Sequence, residues 1–264
     1  MIKLDWVEIP AGEFLTGFSA IQISSIREQL DDERRRFFEA AVSNFDLNGR
    51  ALYLDAFYIA RYAVTHDQLD DLFREFPALS DKRVRRLADE PSNFPEEISW
   101  HVADLFCHWL GGRLPTKFEW EKAARGPEGY LYPWGNVWDA RLGNFTGGRD
   151  QPGYPEKARE VIWTSKSPVD GYPLGVSPYQ VFDMAGNVAE WTMTIKPIPY
   201  TKQVGAVVKA RAAKDHSLPL WYWNILALEE VYPLSGTPMN VGFRPVKDRW
   251  QHEFWQGFRL DNQG

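Results

Sequence analysis

Apolar positions along this chain fall into a few short rhythms separated by long irregular stretches. Leu69, Leu72, Phe73 and Phe76 share one face of a helix that opens at Thr65, where Gln68 three residues on completes a capping box. Val102, Phe106, Trp109 and Leu110 do the same from Ser99, and Gly111-Gly112 stops that helix. Arg113 to Trp134 reads RLPTKFEWEKAARGPEGYLYPW. Here Thr116 and Glu119 form a second capping box, Phe118, Trp120, Ala123 and Ala124 are apolar, and Gly126-Pro127 ends a short, partly buried helix. Ser19 to Asn48 is rich in Glu, Arg and Gln. Ile23, Ile26, Leu30, Phe37, Phe38 and Val42 recur there at helical spacing, predicting one long helix or two shorter ones packed on the core.

Strand signals are shorter. Val7, Ile9, Phe14 and Leu15 flank Pro10-Ala11-Gly12 and predict a hairpin over Trp6 to Phe18. Leu52 to Tyr62, LYLDAFYIARY, alternates and predicts one strand. Residues 77–98 are charged and poorly periodic, with a short helix expected over Lys82 to Leu87. Residues 135–180 hold twelve glycines or prolines, a pattern of long loops. Strands and loops are expected from Val204 to Arg259.

Composition narrows the class. The 264 residues are 44% hydrophobic and 25% charged, as in soluble globular chains. Twelve Trp, 11 Tyr and 16 Phe are more than a surface can carry, so many of these rings are expected in the core with partners for their polar atoms. The formal charge of -6, without a Lys/Arg stripe, gives no nucleic-acid footprint. No apolar run reaches 18 residues, so no membrane span is expected. MIKLDWVEIP lacks the shape of a secretory signal, and the expectation is a cytoplasmic protein. The single cysteine, Cys107, excludes a disulfide within the chain.

Several words are then specific together. RLPT-x-x-EWE-x-AARG, the preceding SWHVADLFCHWLGG, and Tyr179 to Thr194, YQVFDMAGNVAEWTMT, resemble the formylglycine-generating enzyme / sulfatase-modifying-factor family, with weaker matches at WVEIPAGEFLTGF, at Tyr53 to Phe73 and at Val241-Gly242-Phe243-Arg244. The resemblance spans about residues 4–246 and implies an α+β, C-type-lectin-like fold with short twisted sheets, a few helices and long loops. It implies a single domain over 1–264, in which 19–48 is a helical insertion and 247–264 a C-terminal extension.

The resemblance also implies chemistry. The family's word (N/D)-x-x-GN-x-x-EW supplies a calcium site, which carries over to Asp183 and Glu190 as side-chain ligands and Gly186 and Val188 as carbonyl ligands. Two acids among small residues suit a hard cation that takes several oxygens. A second family calcium site would begin at Asn144-Phe145, but its later carboxylate position reaches only Val161 and Trp163. Enzymes of the family oxidise a substrate cysteine with a late cysteine pair that binds copper. Monovalent copper needs thiolates, and this chain has no cysteine after Cys107. The word that precedes the pair falls at Lys209 to Lys214, which reads KARAAK. Copper is therefore not expected.

Cys107 lies between apolar neighbours and reads as a buried, inert thiol. His101 and His108, seven apart on one helix, read as a surface pair. No nucleophile elbow or phosphate loop is present. The segment Leu220-Trp221-Tyr222-Trp223-Asn224, with His216 before it and Tyr232 after, falls where the family builds the floor of its substrate groove. A related non-catalytic branch, the variable proteins of diversity-generating retroelements, binds ligands there. The resulting expectation is a recognition module whose groove near residues 205–240 binds a protein partner or small ligand through His216, Trp221, Tyr222, Trp223, Asn224 and Tyr232. Such domains also serve larger bacterial defence or signalling systems. The alternative is a metal-dependent oxidase of different chemistry using His216 and Asp215.

Overall fold

The computed structural model describes residues 3–44, 47–82, 91–145, 166–198, 201–210, 224–236, 238 and 240–249. Its N-terminal part departs from the hairpin expected at Pro10. Strand β1 (Trp6–Ile9) and strand β2 (Gly12–Thr16) do not pair with each other. They run on as one arm against a second arm, which is itself broken at Asp55-Ala56 into two strands, β3 (Arg50–Leu54) and β4 (Phe57–Ala60). Trp6 faces Ala60, Ile9 faces Phe57, Gly12 faces Leu54 and Thr16 faces Arg50, so one antiparallel register holds along both arms. Proline has no N–H to give the ladder, so Pro10 interrupts the pairing without reversing the chain.

The intervening residues form two helices, α1 (Ala20–Gln29) and α2 (Asp32–Asn44). Ser19 caps α1 with its hydroxyl on the Gln22 amide at 3.2 Å, and Gln22 returns a bond to the Ser19 N–H. Ile26, Leu30, Phe38 and Val42 are buried as their spacing predicts, with Phe18, Leu131, Tyr132 and Ile225. Phe37 instead stands 54% exposed. Helical phase explains it: adjacent residues lie about 100° apart, so Phe38 and Phe37 cannot both face the core.

Helix α3 (His66–Glu75) starts at the Thr65–Gln68 box, the Gln68 side chain accepting the Thr65 N–H at 3.0 Å. A 3-10 helix over Pro77–Lys82 follows; most of the expected Lys82 to Leu87 helix lies outside the described residues. Helix α4 (Trp100–Trp109) leads through a left-handed Gly111 into α5 (Lys117–Arg125). A four-stranded sheet completes the fold, ordered β7–β6–β5–β8 from β5 (Ala189–Pro197), β6 (Val204–Lys209), β7 (Glu230–Pro233) and β8 (Val241–Gly242). The last strand, β9 (Val246–Asp248), joins the opposite edge of β4 from β1.

The core has two main bodies. Leu69, Leu72 and Phe106 of α3 and α4 pack on Trp191, Val208 and Phe243 of the sheet region. Ile9, Phe57 and Ile59 pack on Trp120, Ala123 and Ala124 of α5 and on Val181 and Met184. Mixed helices and small sheets connected by long loops make an α+β fold consistent with the C-type-lectin-like architecture. Among the described residues no helix is long and apolar enough to cross a membrane.

Candidate functional site

The turn before β5 holds Asp183, Gly186 and Val188 of the expected metal site, and Glu190 is the second residue of β5. Asp183 and Asn187 sit at positive φ (52° and 59°), as does Gly186 (80°). Asn and Asp tolerate that region better than other residues with a Cβ. At Gly186 a Cβ would lie 2.5 Å from the Asn144 carbonyl oxygen, so a close approach fixes glycine there. Asn187 is the hub of the turn. Its Nδ2 donates to Asp183 Oδ2 at 2.8 Å and to the Ser167 carbonyl at 3.1 Å. Its Oδ1 accepts from the Ser167 N–H at 2.9 Å and from Asn144 Nδ2 at 3.3 Å.

Asp183 and Glu190 lie in the same buried region but in different states. Glu190 is fully covered, and both its oxygens are taken: Arg244 donates from Nη2 at 2.6 Å and Nε at 2.7 Å, and Trp120 Nε1 donates at 2.8 Å. It is a buried ion pair as the structure stands. Asp183 is also buried, yet its Oδ1 has no hydrogen-bond partner. Burial above all, with repulsion from Glu190 and Asp170, pushes its carboxyl up to about 7 against the pull of Asn187 and Arg244. A buried carboxylate oxygen without a donor is a place where a cation fits. Asn144 belongs to the same hydrogen-bonded cluster. Val161 and Trp163 lie outside the described residues.

The expected groove is described only in part. His216, Trp221, Tyr222 and Trp223 lie outside the described residues, as does Asp215. Asn224 is buried at 6% exposure. Tyr232 is half-buried on β7, its ring edge-on to Trp191 at 6.3 Å and its hydroxyl donating to Glu230 at 2.9 Å. An open pocket of ≈ 290 Å³ is lined by Tyr232, Pro233, Ser235 and Pro238.

The pattern of apolar positions missed a charged face. On α5, Lys117, Glu121 and Arg125 recur every four residues, one turn apart, and all are buried. Glu121 accepts from Arg125 Nη1, from Lys209 Nζ at 3.4 Å and from the Gly17 N–H at 2.8 Å. Lys209, at the end of β6, also donates to the Ala227 carbonyl at 3.2 Å and lies over the Trp120 ring at 5.8 Å. Glu229 takes Lys117 on one oxygen at 2.9 Å and Lys196 of β5 on the other. The signal in the sequence was the K-x-x-x-E-x-x-x-R spacing. It was hidden because charged residues at helical spacing ordinarily mark a solvated face.

Cys107 is fully buried on the inner face of α4, and burial raises its thiol well above the ordinary range. His101 and His108 are both exposed on the same helix. Among the described residues no group of three or more His, Cys, Asp or Glu side chains is placed to hold a metal ion.

Known proteins share this architecture. Over 105 residues the chain is 41% identical to a Bos taurus protein named inactive C-alpha-formylglycine-generating enzyme 2, covering 39% of this chain and 34% of that one. Over 171 residues it is 30% identical to the Mus musculus formylglycine-generating enzyme, covering 60% of this chain and 45% of that one. The chain thus spans between about a third and a half of these two relatives' length. The fold matches the solved structure of Treponema denticola variable protein 1 with a TM-score of 0.63 at 16% identity, over 94% of this chain and 96% of that one. The model of the sulfatase-modifying factor enzyme 1-like domain matches residues 4–249. That match takes in every strand and helix described above, and the chain belongs to the sulfatase-modifying factor enzyme 1-like family.

Proposed function

We propose that this chain is a non-catalytic recognition module on a formylglycine-generating-enzyme-like scaffold, binding a protein partner through the surface near residues 205–240. The observation that carries the reading is the state of its cysteine. Cys107 is the single thiol in the sequence, and it is sealed in the core, so no thiolate pair can hold monovalent copper. The similarity to a protein named as an inactive member supports the same reading. A protein partner is the first choice because Trp221, Tyr222 and Trp223 cluster in the sequence, and these are residue types that protein-recognition surfaces favour.

Two measurements test it. Metal analysis of the purified chain is expected to find neither copper nor iron at stoichiometric level; finding either returns the oxidase alternative at His216 and Asp215. Replacing Trp221 and Trp223 together with alanine is expected to weaken partner binding by at least about a hundredfold, as for central aromatic anchors. The melting temperature should move by no more than about 2 °C. A large drop in melting temperature would instead place these rings in the core.

We further propose that a calcium ion is held at the Asp183 turn, with the Gly186 and Val188 carbonyls completing the oxygen set and Glu190 joining only by releasing one oxygen from Arg244. The support is the partnerless Asp183 Oδ1. Without the ion this group opposes folding. Its folded value of about 7 lies above the ordinary carboxylate value, so the opposition is full above pH 7 and fades as pH falls from 7 toward 4. In chelator at pH 8, Asp183→Asn should therefore melt higher than the parent chain, by an amount worth a few kcal/mol on the order of. Millimolar calcium should stabilise the parent and leave Asp183→Asn unmoved. Equal calcium responses from the two chains would remove Asp183 from the site.

A further inference from the structure

A methionine sulfur is oxidised where a peroxide can reach it. Of the chain's four methionines, Met184 and Met193 lie among the described residues, and their surroundings are opposite. Met184 is 0% exposed, packed in the core with Val181 and Trp120. Met193 is 40% exposed on β5. Strand pairing explains the difference. Trp191 faces Val208 and Ile195 faces Ala206, so β5 carries more residues between these two pairs than β6 does. The surplus bulges from the ladder, and Met193 lies within it. The bulge is nevertheless fixed. The Met193 N–H donates to the Pro115 carbonyl at 2.8 Å, and the Lys117 N–H donates to the Thr194 hydroxyl at 3.0 Å. Met193 is thus fastened to the segment that enters α5.

That segment brings a guanidinium to the sulfur. Arg113 Nη1 donates to Met193 Sδ at 3.8 Å. The sulfur is not what positions the donor. Nη1 also donates to Glu119 Oε2 at 2.8 Å and to the Leu114 carbonyl at 3.2 Å, while Nη2 donates to Glu119 Oε1 at 2.6 Å and to Asp248 Oδ1 at 2.7 Å. Carboxylates of α5 and β9 therefore hold the fork in place. A thioether sulfur is a weak acceptor, so its contact is the weakest of the set. A sulfoxide oxygen accepts far better. The 3.8 Å from Nη1 to Sδ exceeds an ordinary N–H···O bond of about 2.9 Å by less than the length of a sulfur–oxygen bond. An oxygen added on the side of the sulfur that faces Arg113 thus comes within reach of Nη1.

We infer that Met193 is an oxidative modification site, where a peroxide forms the sulfoxide and Arg113 receives the new oxygen. A sulfur lone pair attacks one peroxide oxygen; the S–O bond forms and the O–O bond breaks. The second oxygen leaves with the bonding pair as hydroxide and takes the proton left on the first. Sulfur is oxidised, and the peroxide is reduced to water. Oxidation also makes the sulfur a stereocentre. Only one of its two lone pairs can face Arg113, so one epimer places its oxygen on Nη1 and the other does not. Reductases that each accept one epimer return the sulfoxide to methionine, so the modification is reversible. This oxidation depends on neither partner binding nor the Asp183 turn.

Hydrogen peroxide treatment of the whole chain tests this, read by peptide mass spectrometry and by digestion with the epimer-specific reductases. Met193 should be oxidised at least about tenfold faster than Met184, since susceptibility follows exposure. One Met193 epimer should exceed the other by about tenfold, the value of a hydrogen bond from a charged donor at its weaker end. In denaturant both methionines should react at one rate and give the two epimers equally. Arg113→Leu removes the donor and should bring the epimer ratio of the folded chain to within about twofold of unity. Equal epimers from the folded parent, or oxidation of Met193 no faster than of Met184, overturns the inference. An unchanged epimer bias in Arg113→Leu overturns the part given to Arg113. If that variant melts far below the parent, the folded and denatured parent decide: the same epimer ratio in both states overturns the inference.

Discussion

Replacing Arg244 with methionine is expected to destabilise the chain by about 3–5 kcal/mol, the cost of stranding a buried charge. Arg244 is fully buried and donates to both Glu190 oxygens, to the Ala60 and Arg61 carbonyls at the end of β4, and to the Phe182 carbonyl. One guanidinium thus ties the N-terminal ladder, the Asp183 turn and β5 together. Its removal leaves the Glu190 carboxylate with one donor, Trp120 Nε1, and takes the guanidinium from the Ala60 and Phe182 carbonyls in the interior, while the Arg61 carbonyl keeps the Phe182 N–H at 3.0 Å. Adding Glu190→Gln to Arg244→Met should recover part of the loss, because the uncompensated charge is then gone. Chemical denaturation of the two single variants and the double variant measures this. If the double variant is as unstable as the sum of the singles, the pair is not coupled and the argument fails. Lysine at 244 should recover less than half, since a point charge cannot reproduce the fork.

Trp191→Ala is expected to cost a further-reaching 3–5 kcal/mol, roughly, by the general behaviour of large-to-small core changes. Trp191 is fully buried, and its Nε1 donates to the Ile98 carbonyl at 2.8 Å, joining β5 to the entry of α4. The truncation opens a cavity beside Phe106 and Phe243 and leaves that carbonyl without its donor. Trp191→Phe fills much of the space but still loses the hydrogen bond, so it should fall between the two. With total stabilities of about 5–15 kcal/mol for natural proteins, the alanine variant should unfold at markedly lower denaturant. A midpoint within error of the parent would show that the ring is not part of the cooperative core.

Local signals were the most legible part of the fold. Capping boxes at Thr65 and Thr116 place α3 and α5 within a residue, because a cap is decided by the two or three residues beside it. Pairing was not legible. Pro10 marks an interruption truly, but whether the chain then folds back or runs on depends on a partner forty residues away. The candidate site divides the same way. Asp183, Gly186, Val188 and Glu190 were marked by two acids among small residues and by the family's word, whereas Asn187, the hub of the turn, was not singled out, because its partners Ser167 and Asn144 are distant in sequence. That Glu190 would meet Arg244 was not visible, since the two are brought together only by the final strands. The buried charges of α5 were obscured for the converse reason: polarity predicts exposure unless a distant partner neutralises it, and Lys209 and Glu229 are such partners.

One feature of the three-stranded sheet bears on how the molecule responds to load. β1 and β9 flank β4, with Trp6 at the Ala60 end and Asp248 at the Phe57 end. Tension applied between the two ends of the described chain would draw β1 and β9 in opposite directions along β4. The hydrogen bonds run across the strands, so both ladders would be strained in shear and their bonds would share the force instead of parting one by one. A module held at both ends would then resist extension through the edges of this sheet.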